Sequence, residues 1–264
     1  MSIRVYQGPH SDGRRLPLSW MWLPWVFAGI TIGGQIIWLL AEPARTFMTI
    51  LTVVSFFLAS FTHAWLTRGW LWALGYVAIA AGVGLGMEAV GVATGLPFGN
   101  YTYADTLGPA LLGVPVIVMM AWAMMAYPCF LAAQRLSSTR AGVIVIGTWI
   151  LASWDLFLDP QMVSEGHWVW ETTSPSLPGI PDIPLSNYVG WIITAAIIMA
   201  LLSRLPQRRG LADGVPTLMI LWVYFSSVLA NAAFFGRPGV ALWGGIVMGI
   251  AILPFAWVSW TRRP

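Results

Sequence analysis

The chain has 264 residues, of which 58% are hydrophobic and only 9% charged, with a formal net charge of +3. Soluble domains carry about 25% charged residues, so this composition excludes a chain that covers its own surface in water and points to lipid as the solvent. All 13 basic residues are arginines. Without a lysine no Schiff base forms, which excludes retinal-type opsin and lysine-dependent aldolase chemistry.

The N-terminal stretch before Trp20 is polar and carries Arg4, Arg14 and Arg15. The apolar run that follows is about 20 residues long, longer than a signal-peptide core, and reads as a first span and not a cleaved leader. A span needs about 20 apolar residues to cross roughly 30 Å of hydrocarbon. Eight segments qualify, at approximately 22–41, 47–66, 70–93, 109–134, 141–159, 187–204, 215–235 and 240–260. Backbone polar groups in lipid must be satisfied within their own segment, so these are helices. The predicted fold is all-α: a polytopic transmembrane bundle forming a single membrane domain over residues 1–264. Trp20, Trp22, Trp65, Trp70, Trp257 and Trp260 fall near segment ends, as interfacial aromatics do. Cys129 lies in an apolar run and has no second cysteine to pair with.

Arginine placement predicts the orientation. With the N-terminus inside, the inner segments hold Arg4, Arg14, Arg15, Arg68, Arg135, Arg140, Arg204, Arg208, Arg209, Arg262 and Arg263, and the outer loops only Arg45 and Arg237. An odd number of spans destroys this asymmetry, so both termini are expected in the cytoplasm of a multi-pass cell-membrane protein. Two outer loops stand apart, one around Thr94–Pro109 and one across 160–186. Both are rich in Gly, Pro and aromatic residues, which suits a folded cap or a re-entrant segment.

Glu88 and Asp155 lie inside predicted spans, where a carboxylate costs about 2.5–3.5 kcal/mol and is a functional candidate by default. Asp155 and Asp159 share a helix face through their i, i+4 spacing. With Glu88 they form three carboxyl groups at similar depth beneath the two loops. Paired carboxyl groups in an apolar pocket suit acid–base work, one donating a proton and the other orienting water. The bland alternatives are helix–helix hydrogen bonding for Glu88 and Asp155, and a helix end at Asp159, which precedes Pro160. His63, near the inner end of the second span, reads as a helix–helix hydrogen bonder. His167 reads either as a site residue or as a solvated loop residue, and His10 in the tail is uninformative. Tyr101, Tyr103, Trp154, Trp168 and Trp170 fall near the acids, where aromatic faces can line a polyene channel or stabilise a carbocation. The run Met119, Met120, Met124 and Met125 reads as adaptable packing. No acidic prenyl-diphosphate motif, GxGxxG, P-loop or HExxH occurs, and no histidine pair suits a b-type haem.

Two long ordered motifs carry a family resemblance. One is Glu88-x-x-Gly-x-x-Thr-Gly-Leu-Pro-Phe-Gly-x-Tyr-x-Tyr103, continued by Leu107-Gly-Pro-x-Leu-x-Gly-Val-Pro115 and Trp122. The other is Asp155-Leu-x-Leu-Asp-Pro-x-Met-Val-x-x-Gly-x-Trp-x-Trp170, continued by Gly179-Ile-Pro and Asn187-Tyr-Val-Gly-Trp191. Together they resemble the carotenoid-biosynthesis membrane protein family, which includes carotenoid 1,2-hydratases. The stretch between Trp170 and Gly179 departs from the family pattern, and substrate choice is expected to differ there.

The resemblance implies hydration of the terminal C1=C2 bond of an acyclic carotenoid end group, with a carotenoid and membrane lipid as partners and no nucleic acid or cofactor. Position and chemical type, which do not separate donor from base, assign Asp155 or Asp159 as proton donor and Glu88 as the partner that holds water and takes its proton. Tyr101, Tyr103, Asp105, Trp154, Trp168, Trp170 and Asn187 are the expected substrate-binding residues. Two other readings stay open: a carotenoid or lipid binder or transporter without catalysis, and another end-group modification such as cyclisation. The lack of a detectable internal repeat weighs slightly against a transporter.

Overall fold

The computed structural model describes residues 20–206 and 212–261. Arg4, His10, Arg14, Arg15, Arg208, Arg209, Arg262 and Arg263 lie outside the described residues. Eight helices follow in order: α1 Leu23–Leu40, α2 Arg45–Arg68, α3 Trp70–Thr94, α4 Val116–Leu136, α5 Arg140–Ser164, α6 Leu185–Leu202, α7 Gly214–Ala233 and α8 Pro238–Thr261. All eight are long and apolar enough to cross a membrane, and the chain is an all-α polytopic membrane bundle.

Local chemistry explains several boundaries. Pro24 sits in the first turn of α1, where its missing N–H has no intrahelical partner to lose. Thr139 caps α5 by accepting from the Gly142 N–H at 3.1 Å. Gly69 alone joins α2 to α3 at φ 94°, so the two helices run antiparallel as neighbours.

Helix α4 is the hub. Of its most apolar stretch 72% is buried, against 22% for α3, and it packs against α2, α3, α5, α6, α7 and α8. The outer face of α8 shows the opposite character. Leu242, Ile246, Ile250, Leu253 and Trp257 are exposed and recur every three or four residues, forming an apolar stripe suited to lipid.

Two predicted boundaries are corrected. The fourth span begins at Val116 and not at 109, because 110–115 fold into a tight hairpin of β2 (Ala110–Leu111) and β3 (Val114–Pro115). Its turn residues Leu112 and Gly113 both have positive φ, 54° and 80°, as a primed hairpin turn requires. The fifth span does not stop at Asp159. It runs through Pro160 to Ser164, so Asp159 is an interior helical residue and not a helix end.

The remaining strands cap the end of the bundle that holds the α3–α4 and α5–α6 connections. Strand β1 (Tyr101–Tyr103) pairs antiparallel with β4 (Trp168–Trp170), placing Tyr101 opposite Trp170 and Tyr103 opposite Trp168. Strand β5 (Ser176–Leu177) pairs with β6 (Ile180–Pro184). Side chains alternate across a strand, so Thr102 and Val169 point out while the two tyrosines and two tryptophans form one inner aromatic face.

Phe98 anchors this cap. A Cβ on Gly190 would lie 2.3 Å from the Phe98 ring, and one on Gly91 2.7 Å from it. Overpacking of this kind costs about 1–3 kcal/mol. Gly190→Ala is therefore expected to lower the thermal unfolding midpoint and loosen the cap. An unchanged midpoint would show that Phe98 is not held in this notch.

The opposite end is closed by a polar clasp. Buried Arg68 pairs with Asp213 at 2.9 Å, donates to the Tyr127 hydroxyl, and lies over the rings of Trp72 and Tyr127. His63 Nδ1 hydrogen-bonds Tyr127 Oη at 2.8 Å and its Nε2 bonds the Ala212 carbonyl at 3.0 Å. The clasp ties α2 and α4 to the start of α7, and His63 has the structural part that its position suggested.

Candidate active site

Under the aromatic face of the β1–β4 ribbon lies a small cavity of about 60 Å³, lined by α2, α3, α4, α5, α6 and both cap connections. That is room for a few water molecules or a small end group. Glu88 from α3 and Asp159 from α5 both line it, with Tyr101, Tyr103, Trp168 and Trp170. Glu88 is 6% exposed, Asp155 0%, Asp159 3% and Asn187 2%, in a part of the bundle where burying an unsatisfied charge is costly.

The two carboxyl positions are dressed differently. Glu88 collects three donors. The Tyr101 hydroxyl donates to Oε2 in a short bond, the Tyr103 hydroxyl donates to the same oxygen at 2.9 Å, and the Trp122 indole donates to Oε1 at 3.1 Å. An ionised carboxylate is an acceptor only, and this donor set suits it. Burial first, and then the neighbouring Glu88, pushes both phenols above their usual range, so both remain protonated donors.

Asp155 and Asp159 share one donor. Asn187 Nδ2 donates to Asp155 Oδ2 at 2.8 Å and also to Asp159 Oδ2. The two carboxyl groups lie within reach of each other, and the Trp168 indole reaches Asp159. Asp155 Oδ1 is buried without a partner. Two like charges this close in an apolar setting oppose each other, and a proton held between them relieves the opposition. Asp159 faces the cavity, and Asp155 stands behind it.

The expected site residues are thus partly gathered and partly not. Glu88, Asp159, Tyr101, Tyr103, Trp168, Trp170 and Asn187 line one cavity, with Asp155 directly behind. Asp105 is exposed in a short 3-10 turn at Asp105–Leu107 and lines neither this cavity nor a second, larger one. Trp154 lines the second cavity and not this one, and its ring meets Trp191 of the site edge to face at 5.8 Å. His167 is 1% exposed and not solvated. Its Nδ1 bonds Thr106 Oγ1 at 2.8 Å and it lines neither cavity, so it fastens the cap.

Sequence reasoning gave no role to Trp122 and Trp191, whose rings stack at 4.1 Å and line the same cavity. Their presence in the two motifs was the available signal. Among the described residues no group of three or more His, Cys, Asp or Glu side chains is placed to hold a metal ion.

Eight membrane-crossing helices around a buried cavity lined by carboxyl and aromatic side chains define an integral membrane protein. Sequence comparison gives the family. The carotenoid biosynthesis protein family matches residues 44–255, most of the chain, and this chain belongs to it. A bisanhydrobacterioruberin hydratase from Haloarcula japonica is 32% identical over 200 residues, an alignment covering 67% of this chain and 60% of that relative. The chain thus spans less than two thirds of that relative's length. No solved structure matches it.

Proposed function

We propose that this protein is a cofactor-independent hydratase that adds water to the terminal C1=C2 bond of an acyclic carotenoid end group. The observation that carries the reading is the pairing, in one small apolar cavity, of Glu88 held by three donors with Asp159 backed by Asp155. The identity to a hydratase of the same family supports it.

Asp159 is the proton donor. It protonates C2 and leaves a tertiary cation at C1. Glu88, which accepts hydrogen bonds from Tyr101, Tyr103 and Trp122, acts in its carboxylate form: it stabilises that cation, orients water toward it, and takes the proton that the water loses. The aromatic faces of the ribbon add cation–π attraction. The hydroxyl ends on C1, and the proton on Glu88 returns to Asp159 before the next turnover. An alkene is a weak base, so the scheme needs a setting poor in water, and the aromatic lining of the cavity under the cap supports it.

The same reading places both termini in the cytoplasm of the cell membrane. Arg68, Arg135, Arg140 and Arg204 fall at the clasp end of the bundle, and Arg45 and Arg237 at the capped end. These last two are engaged locally. Arg45 pairs with Glu165 at 3.2 Å and Arg237 bonds Ser164.

Co-expression with a lycopene or γ-carotene pathway is expected to give a more polar pigment, heavier by one water. An unchanged pigment in a host that makes the protein would favour a binder. A cyclised pigment of unchanged mass would favour the alternative end-group chemistry.

A further inference from the structure

The acid cavity holds an end group at most, and an acyclic carotenoid is many times larger. A second cavity of about 330 Å³ lies between α1, α2, α5 and α7. Four residues line both cavities: Thr49 and Val53 of α2, and Leu158 and Met162 of α5. Helices α2 and α5 hardly touch each other directly, so these side chains and not packed backbone separate the two spaces. Leu and Met side chains repack at modest cost, and a thin side-chain partition can yield to a chain passing between the cavities.

The second cavity also reaches the outer surface. Ile36 of α1, Leu229 of α7 and Phe234 just beyond α7 line it and are 47%, 59% and 59% exposed. These flank a mouth between α1 and α7, on a surface that faces lipid. One polar contact bridges that mouth at mid-depth: the Trp222 indole donates to Gln35 Oε1 at 2.6 Å. The proton transfers at the acids do not themselves use this space, whereas a long apolar chain dissolved in the bilayer needs a route that brings its end to Asp159.

We propose that the second cavity is the berth for the polyene chain, which enters sideways from lipid between α1 and α7 and passes the Val53–Leu158 partition to present its end group to the acids. The identity of the occupant rests on the hydratase reading, but its occupancy is measured without catalysis.

The test uses the purified full-length chain in detergent micelles with lycopene as probe. Ser226, on the cavity wall, is replaced by Trp to fill the space and by Cys to report on it. Ser226→Trp is expected to retain at least about tenfold less lycopene than wild type, a loss equivalent to about 1.4 kcal/mol. Ser226→Cys, a nearly isosteric change, serves if the Trp variant does not fold. Its labelling by a membrane-permeant maleimide should slow about tenfold when lycopene is bound, with buried Cys129 of the unsubstituted chain as the background. Lycopene retained equally by wild type and Ser226→Trp would overturn the proposal. So would labelling that lycopene leaves unchanged, or a wild type that holds no lycopene. Lycopene held in the cavity but never gaining water would support the berth while removing the hydratase reading.

Discussion

Asp159→Asn is expected to lower hydration of an acyclic carotene by about 10²–10⁴-fold, the usual contribution of a positioned general acid. The amide keeps the shape of the carboxyl group and leaves the cavity its volume, so pigment retention should change little. It has no acidic proton to give C2. It also meets Asn187, which already donates to both Asp155 and Asp159, so a rotated side chain is a secondary cost. Asp155→Asn separates the roles. Asp155 does not line the acid cavity, so its replacement should lower the rate and shift the pH dependence of hydration while leaving a measurable reaction. If Asp159→Asn hydrates lycopene at the wild-type rate, Asp159 is not the donor. If Asp155→Asn is the dead variant and Asp159→Asn the impaired one, the two roles are reversed.

The largest stability effect is expected at the other end of the bundle. Asp213→Ala removes the partner of Arg68, whose side chain is 4% exposed, and leaves the guanidinium with Tyr127 and Thr67 as neutral acceptors. Breaking a buried pair from one side costs about 3–5 kcal/mol, because the remaining charge stays desolvated. The expected result is a large drop in the detergent or thermal unfolding midpoint. Arg68→Met with Asp213→Leu, which removes both charges, should recover much of it. A double variant no more stable than Asp213→Ala would mean that the clasp acts through its hydrogen bonds to Tyr127 and His63 and not through its charge.

The span count was legible because twenty-residue apolar runs bounded by Arg, Trp and Gly leave little choice of element. The acid cluster was legible for a related reason: Asp155 and Asp159 share a helix face by spacing alone, and Glu88 stands out in an apolar helix. Strand pairing was not. Tyr101-x-Tyr103 and Trp168-x-Trp170 each show a two-residue alternation, yet nothing local states that these distant segments meet, or in which register.

The hairpin at 110–115 was hidden for another reason. Its leucines and valine read as the start of a span, while the demand for two positive φ values falls on Leu112 as well as Gly113. Pro160 misled in the other direction. It suggested an end to the helix, whereas α5 continues past it for another turn and carries Met162 onto the cavity wall. Asp105 and Trp154 sit close to the site in sequence, but a turn and a helix face direct them elsewhere.

The most direct measurement of the central claim is isotopic. The purified protein is given lycopene in deuterated water enriched in oxygen-18, and the product is analysed by mass spectrometry after exchange back into ordinary water. Hydration by Asp159 and water predicts a product with one non-exchangeable deuterium and one oxygen-18 for each modified end. Deuterium without oxygen, or recovery of lycopene with neither label from an active preparation, would contradict it.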